Sequence, residues 1–242
     1  MKNQLEVVCI NDAHIPYEDP VALKLAIKFC KETQPKIVIL HELHDFYMVS
    51  RFDKDPERLT TLQDEIDKVN KYIYDLRVAC PRSRIILLKS NHLDRLRKFL
   101  WNNAPALSSL RALKLETLLE LRKFNIEYKD TFFYKGILFK HGNLVRKFSG
   151  YTARGEFEKE AVSGASGHTH RLGVYYHRTR AGVKFWVEGG CLCQLDPDYI
   201  DGVSNWQQGI SVFQFDKKGN CFPAALPIIN KQILWGNNKT TL

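Results

Sequence analysis

The chain has 242 residues, 44% of them hydrophobic and 26% charged, with a formal net charge of +9. That length suits one large core and is short for two, so residues 1–242 are read as a single domain of ordinary globular composition. No stretch is long and apolar enough to span a membrane, and the positive balance suits a polyanionic partner, nucleic acid above all.

Leu5 to Ile10 is an apolar, strand-like run ending at Asn11-Asp12. The residues before it hold no apolar secretion segment, which points to a cytoplasmic protein. Pro20 opens a helix to Glu32, with Asp19 as its cap and Leu23, Ala26, Ile27 and Cys30 as its buried stripe. Ile37 to Leu40 is a short buried strand. The spacing of Leu59, Leu62, Ile66, Val69, Ile73 and Leu76 predicts a helix over Glu57 to Ala79, with Pro81 just beyond it. Ile85 to Leu88 is a third strand. Strand and helix therefore alternate through the first half, which argues for a parallel sheet covered by helices.

Leu93 to Lys123 reads as helical with a break at Asn102 to Pro105. Three hairpins come after it: Ile126–Tyr134 with Ile137–Lys140, Leu172–Thr179 with Val183–Glu188, and Ile210–Phe215 with Cys221–Ala224. Gly150 to Glu160 reads as a helix between the first two. Leu195 to Gln208 lacks periodicity and reads as a long surface loop. An α/β domain with two sheets packed face to face accommodates this order. The six cysteines are scattered, and only Cys191 and Cys193 are close. They read as reduced, buried thiols in preference to a disulfide framework.

Short clusters of His, Asp, Glu and Asn end many of these strands. Asp12 and His14 stand two apart at the end of the first, where strand alternation puts both on one face. Such a pair is half a metal site. His168 and His170 repeat the spacing in the second half, after small residues that allow close backbone approach. The competing reading of that pair is a polar loop with a buried, hydrogen-bonded histidine. Glu42 and Asp45 follow the second strand, Asn91 and His92 the third, and His141 a strand of the second half. Arg95, Arg97, Lys98, Arg111, Lys114, Arg122 and Lys123 outnumber the acids between His92 and Lys123. Arg95, Arg146 and Arg171 flank the clusters and are the candidates for holding a substrate's phosphate.

Taken in order, the clusters resemble the calcineurin-like metallophosphoesterases, a family that includes nucleases. Its pattern is Asp-x-His, Gly-Asp-x-x-Asp, Gly-Asn-His-Asp/Glu, His, and Gly-x-His-x-His. The counterparts are Asp12-Ala13-His14, His41-Glu42-Leu43-His44-Asp45, Ser90-Asn91-His92-Leu93, His141, and Gly167-His168-Thr169-His170. Arg51 to Pro56 and Val187 to Cys191 look like phage and bacterial members, which implies the cytoplasm of a bacterial or phage-infected cell. The resemblance implies a four-layer αββα sandwich of two mixed sheets with flanking helices, and the hairpins beyond residue 170 would belong to its second sheet. It implies two divalent metal ions, Mn²⁺ first, with Fe, Zn, Ni or Mg as alternatives. Asp12, His14 and His170 would hold one and Asn91, His141 and His168 the other, with Glu42 bridging. Water between them would attack phosphorus in line. His92 would protonate the leaving oxygen, and Asp45 would orient His92.

Three positions depart from the pattern. The bridging residue is Glu42 where the family has aspartate, and His41 and Ser90 replace glycines. His41 and His44 are further potential ligands or surface and supporting residues. The expected function is a metal-dependent phosphoesterase acting on phosphodiester or phosphomonoester bonds. Its substrate is a phosphate ester, and charge favours DNA or RNA. A protein phosphatase is disfavoured, because Gly-Asp-x-x-Asp-Arg-Gly is absent. The alternative is a catalytically impaired metal- or nucleic-acid-binding module on the same fold.

Overall fold

Alternating residues of β1 (Val7–Ile10) bury on both faces, and the chain is built outward from that strand. The computed structural model describes residues 5–57, 59–197 and 202–242. Helix α1 (Pro20–Thr33) comes next, with Asp19 Oδ1 accepting from the backbone N–H groups of Val21 and Ala22 at 2.8 and 3.1 Å. These bonds satisfy two donors that a helix start leaves open. Strand β2 (Ile37–His41) runs parallel to β1. Helix α2 (Leu62–Ala79) begins later than the apolar spacing predicts. Thr61 Oγ1 accepts from Asp64 N at 3.1 Å and Asp64 Oδ2 accepts from Thr61 N at 2.8 Å. This reciprocal cap fixes the start, and Leu59 stays outside it, 88% exposed.

Strand β3 (Arg84–Leu88) extends the parallel set and leads into α3 (Leu93–Asn103). Pro105 lacks an N–H and restricts Ala104, so α3 stops there. In place of a continued helix the chain makes two 3-10 turns, Pro105–Ser109 and Arg111–Leu113, and then the short α4 (Leu115–Leu118). The expected strand Ile126–Tyr134 is split. β4 (Ile126–Lys129) pairs parallel with β3, whereas β5 (Phe132–Tyr134) pairs antiparallel with β6 (Ile137–Phe139). The physical reason is burial: Ile126 packs under the helices and Phe132 packs between the sheets.

Helix α5 (Tyr151–Glu160) precedes β7 (Ser163–Ser166), and β8 (Leu172–Thr179) and β9 (Gly182–Gly189) form the expected hairpin. The hairpin of β10 (Gly209–Phe215) and β11 (Cys221–Pro227) joins the first sheet through β1, not the second as the resemblance led us to expect. Phe213 and Phe215 thereby face the intersheet core. A last hairpin, β12 (Gln232–Trp235) and β13 (Asn238–Thr241), has no counterpart in the sequence reading. It is tied to α1 by Lys28 Nζ donating to Thr241 O at 2.6 Å. Residues 198–201 of the expected long loop lie outside the described residues.

The first sheet has the order β11-β10-β1-β2-β3-β4 and the second β5-β6-β7-β9-β8. Both mix parallel and antiparallel pairs. Val7, Cys9, Ile37, Ile39, Ile86 and Leu88 point at Phe139, Ala165 and Val187 of the second sheet. The intervening residues Val8, Ile10, Val38, Leu40 and Leu87 point at α1 and α2. That period of two, apolar on both sides, is the mark of a sheet covered on both faces. Helix α5 covers the outer face of the second sheet, where Ala153 and Phe157 meet Leu138 and Trp186. The result is the expected four-layer αββα sandwich. No helix of the described residues is long and apolar enough to cross a membrane.

Candidate metal centre

The loops that leave β1, β2, β3, β6 and β7 converge at one end of the two sheets. They carry Asp12 and His14, Glu42 and Asp45, Asn91 and His92, His141, and His168 and His170. The first two loops run together: Asp12 N donates to His41 O at 3.1 Å, Ala13 N to Glu42 O at 3.0 Å, and Ile15 N to Leu43 O at 2.8 Å. Strand alternation is not what aims the side chains. β1 and β7 have already ended, and Asp12, His14, Glu42, His168 and His170 have φ of 46°, 48°, 39°, 74° and 57°. Left-handed conformations of this kind are costly for residues with a Cβ, and clusters of them occur where a site requires them. Gly167 makes the approach possible, because a Cβ there would lie 2.7 Å from Asp12 Oδ2. In its absence His168 N donates to that oxygen at 2.7 Å.

Glu42 is at the middle. Its Oε2 lies 3.2 Å from His141 Nε2 and 3.5 Å from His14 Nε2, and its Oε1 accepts from His92 N at 2.9 Å. Ligand atoms of His14, Glu42 and His92 lie within 4.8 Å of one another, and so do those of Glu42, His141 and His168. His14 Nε2 and His170 Nε2 are 2.8 Å apart, and His141 Nε2 is 2.9 Å from Asn91 Oδ1. Asp45 stands behind, its Oδ2 3.2 Å from His14 Nδ1 and 3.0 Å from His92 Nδ1.

The electrostatics come from crowding charges under the surface. Burial alone would lower the pKa of His14, but the Asp45 hydrogen bond and the charges of Glu42, Asp45 and Asp12 raise it to about 9. His170 is held well below the usual imidazole value by burial and by His14. For Glu42, burial is outweighed by His141, His92 and His14, and its carboxyl stays far below the usual range. Burial raises Asp12 to about 6 against the pull of His141. It also pushes His41 and His44 down to about 3.

This donor set fits divalent cations. Asp12 is fully buried, yet its Oδ1 accepts no hydrogen bond. An unmet buried polar atom costs about 1–3 kcal/mol, a cost that coordination removes. Imidazole with carboxylate and amide oxygen suits Mn, Fe, Zn or Ni. The buried His, Asp and Glu groups could thus hold metal ions.

Of the three arginines expected at the substrate, Arg95 is engaged inside the centre. Its Nη1 donates to Asp45 O and Oδ1 at 2.8 and 2.5 Å, and its Nη2 is 2.8 Å from His92 Nε2. Arg146 is exposed and Arg171 half-buried. Among the described residues no hydrogen bond or ion pair joins either side chain to the converging clusters. His41 and His44, read as ligands or surface and supporting residues, are fully buried. Two contributions escaped the sequence reading. Cys193 Sγ lies 3.8 Å from His170 Nδ1, and Cys191 joins them in a third close group. Their spacing of two residues, the same as in the histidine pairs, was the available signal. Glu188 is also buried, accepting from Thr169 Oγ1 at 2.9 Å and Gly150 N at 2.5 Å, which clamps the loop of His168 and His170. Glu188 lies in the Val187–Cys191 run singled out in the sequence, but nothing in that run marks this role.

No protein-family model matches the chain. It is similar to the Gene 54 protein of Mycobacterium phage D29, at 29% identity over 242 residues, covering 92% of this chain and 93% of the relative. The Gene 54 protein of Mycobacterium phage L5 is 27% identical over 241 residues, with the same coverage of each chain. Among solved structures, Vps29 of Chaetomium thermophilum matches with a TM-score of 0.42 and 10% identity, over 94% of this chain and 97% of that one.

Proposed function

We propose that the chain is a metal-dependent phosphoesterase of the calcineurin-like kind, hydrolysing phosphodiester or phosphomonoester bonds at a centre for two divalent cations, Mn²⁺ first. The observation that carries this reading is the position of Glu42, shared by two separate groups of potential ligands. In this reading Asp12, His14 and His170 would hold one cation beside it, and Asn91, His141 and His168 the other. When bound, such cations supply Lewis-acid polarisation of phosphoryl oxygen and acidify water. In the reaction, a water oxygen bonds to phosphorus, the ester P–O bond breaks, and the leaving oxygen takes up a proton.

His92 is the proton donor in this account. Its Nδ1 faces Asp45, which fixes the ring, and its Nε2 faces the Arg95 guanidinium. Arginine only donates, so Nε2 accepts in this arrangement. Delivering a proton requires Nε2 to be protonated and Arg95 to release it. Arg95 is then free to pair with a substrate oxygen, which restores its expected role.

Turnover of bis- and mono-p-nitrophenyl phosphate with added Mn²⁺, and its loss in EDTA, is the test. Folded protein inactive with every divalent metal would sink the proposal. The Arg95–His92 contact favours a second reading, a binding module that holds metal or nucleic acid without turnover. Stoichiometric metal and DNA binding with no hydrolysis would support it.

A further inference from the structure

A cleft of about 670 Å³ opens beside the centre, between residues 49–52 and the exposed face of α3. Asn91 and His92 form its inner end, and Arg51, Arg95 and Lys98 its walls. None of its lining residues is acidic. Its two aromatic rings, Phe52 and Phe99, are 58% and 40% exposed. The Arg51 and Arg95 guanidinium carbons lie 5.6 and 5.8 Å from the centre of the Phe52 ring. Next to it, sharing Asn91, lies a second cleft of about 440 Å³, where Lys98 and Lys159 are exposed, Lys89 pairs with Asp130, and Lys140 is held by Glu156 and Glu160. Lys98 and Asn91 belong to both. The centre therefore lies where the two clefts meet, and Phe52 and Phe99 line only the first.

We infer that the substrate class of this centre is a single-stranded polynucleotide, one of whose bases stacks in the Phe52–Phe99 cleft while flanking phosphates pair with Lys98 and Lys159. The inference rests on the phosphoesterase reading and narrows its substrate. A phosphomonoester needs no track beyond the reacting group. An exposed Phe52 ring beside two guanidinium groups, in a cleft whose described lining has no acid, suits a flat base with phosphates on either side of it. Base faces stack on both aromatic rings and guanidinium planes, and backbone phosphates pair with lysine. A duplex keeps its bases stacked on each other and out of reach of Phe52. The chemistry is the hydrolysis already described, with a sugar oxygen as the leaving group.

The test is fluorescence anisotropy of labelled 15-mers with the full chain in EDTA, so that binding is read without turnover. The probes are thymidine and uridine homopolymers, an abasic strand with the same phosphates, and a 15-base-pair duplex. The thymidine strand should bind about tenfold or more tighter than the abasic strand, the scale of base stacking on an aromatic ring. Phe52→Ala combined with Phe99→Ala should remove that preference and leave affinity for the abasic strand. The uridine arm decides between DNA and RNA as the source of the same chemistry. Equal binding of thymidine and abasic strands by the unsubstituted chain would overturn the inference, as would tighter binding of the duplex. A preference that survives both substitutions would do so too. Failure of the phosphoesterase reading registers separately, as absent turnover of p-nitrophenyl esters, and leaves this binding result interpretable.

Discussion

His14 Nε2 and His170 Nε2 lie 2.8 Å apart although 156 positions part them in the sequence. Two imidazole nitrogens at that distance need a shared proton or a cation between them. A cation that binds only the folded chain raises its stability by mass action. Added Mn²⁺ should therefore raise the melting temperature, and His14→Ala or His170→Ala should remove most of that rise. An equal rise in both variants would place the cations elsewhere.

Gly167→Ala should damage the centre without touching a ligand. The new Cβ would meet the two Asp12 carboxylate oxygens at 2.7 and 2.8 Å. Overpacking of this kind costs about 1–3 kcal/mol, and here it displaces a carboxylate that His168 N holds. Denaturant unfolding should show the loss, and the Mn²⁺ effect on melting should shrink. A variant with unchanged stability and unchanged metal response would contradict the close approach.

His92→Asn should keep the metals and slow hydrolysis by about 10²–10⁴-fold, the usual contribution of a placed acid. The slowing should be smaller for a p-nitrophenolate leaving group, which needs no proton. Loss of metal on this substitution would make His92 a ligand, a role its closeness to His14 and Glu42 also permits.

Glu65 gives a pH effect apart from the metal ligands. It is buried at the start of α2, accepts from Phe46 N, and burial raises its carboxyl from 4.5 to about 8. The folded chain thus keeps a proton that the unfolded chain has released. Stability should fall as pH rises from about 4.5 to about 8 and level off above. Glu65→Gln keeps the acceptor oxygen and cannot ionise. Its melting temperature should fall less across that window than the unsubstituted chain's. Parallel pH curves for the two would show that Glu65 does not titrate in this way.

Much of the sandwich was legible because a strand buried on both faces leaves a continuous apolar run, as in Ile37 to Leu40. The split at Asp130 was not. Ile126–Tyr134 holds strand formers on both sides of Asp130, and packing in two different cores separates its halves. The clusters from Asp12 to His170 were legible as an ordered set. Their aim was misread, since left-handed turns at Asp12, His14, His168 and His170 direct them, and φ is not visible in residue type. Arg95 was named for a substrate, but its hold on Asp45 and His92 depends on how α3 leaves the loop. Glu188 acts on the histidine loop from β9, and Cys193 meets His170 from the segment after it; the two-residue spacing of Cys191 and Cys193 is the only local sign of either.

The central claim is that Glu42 joins two cation positions. Its Oε2 faces His14 and His141, and removing the carboxylate would leave both sides without their common ligand. The most direct measurement is elemental analysis of the chain and of Glu42→Ala after loading with Mn²⁺ and desalting. The account predicts two equivalents in the unsubstituted chain and at most one in Glu42→Ala, with p-nitrophenyl ester turnover nearly lost. Two equivalents retained by Glu42→Ala, or no stoichiometric metal in the unsubstituted chain, would contradict it.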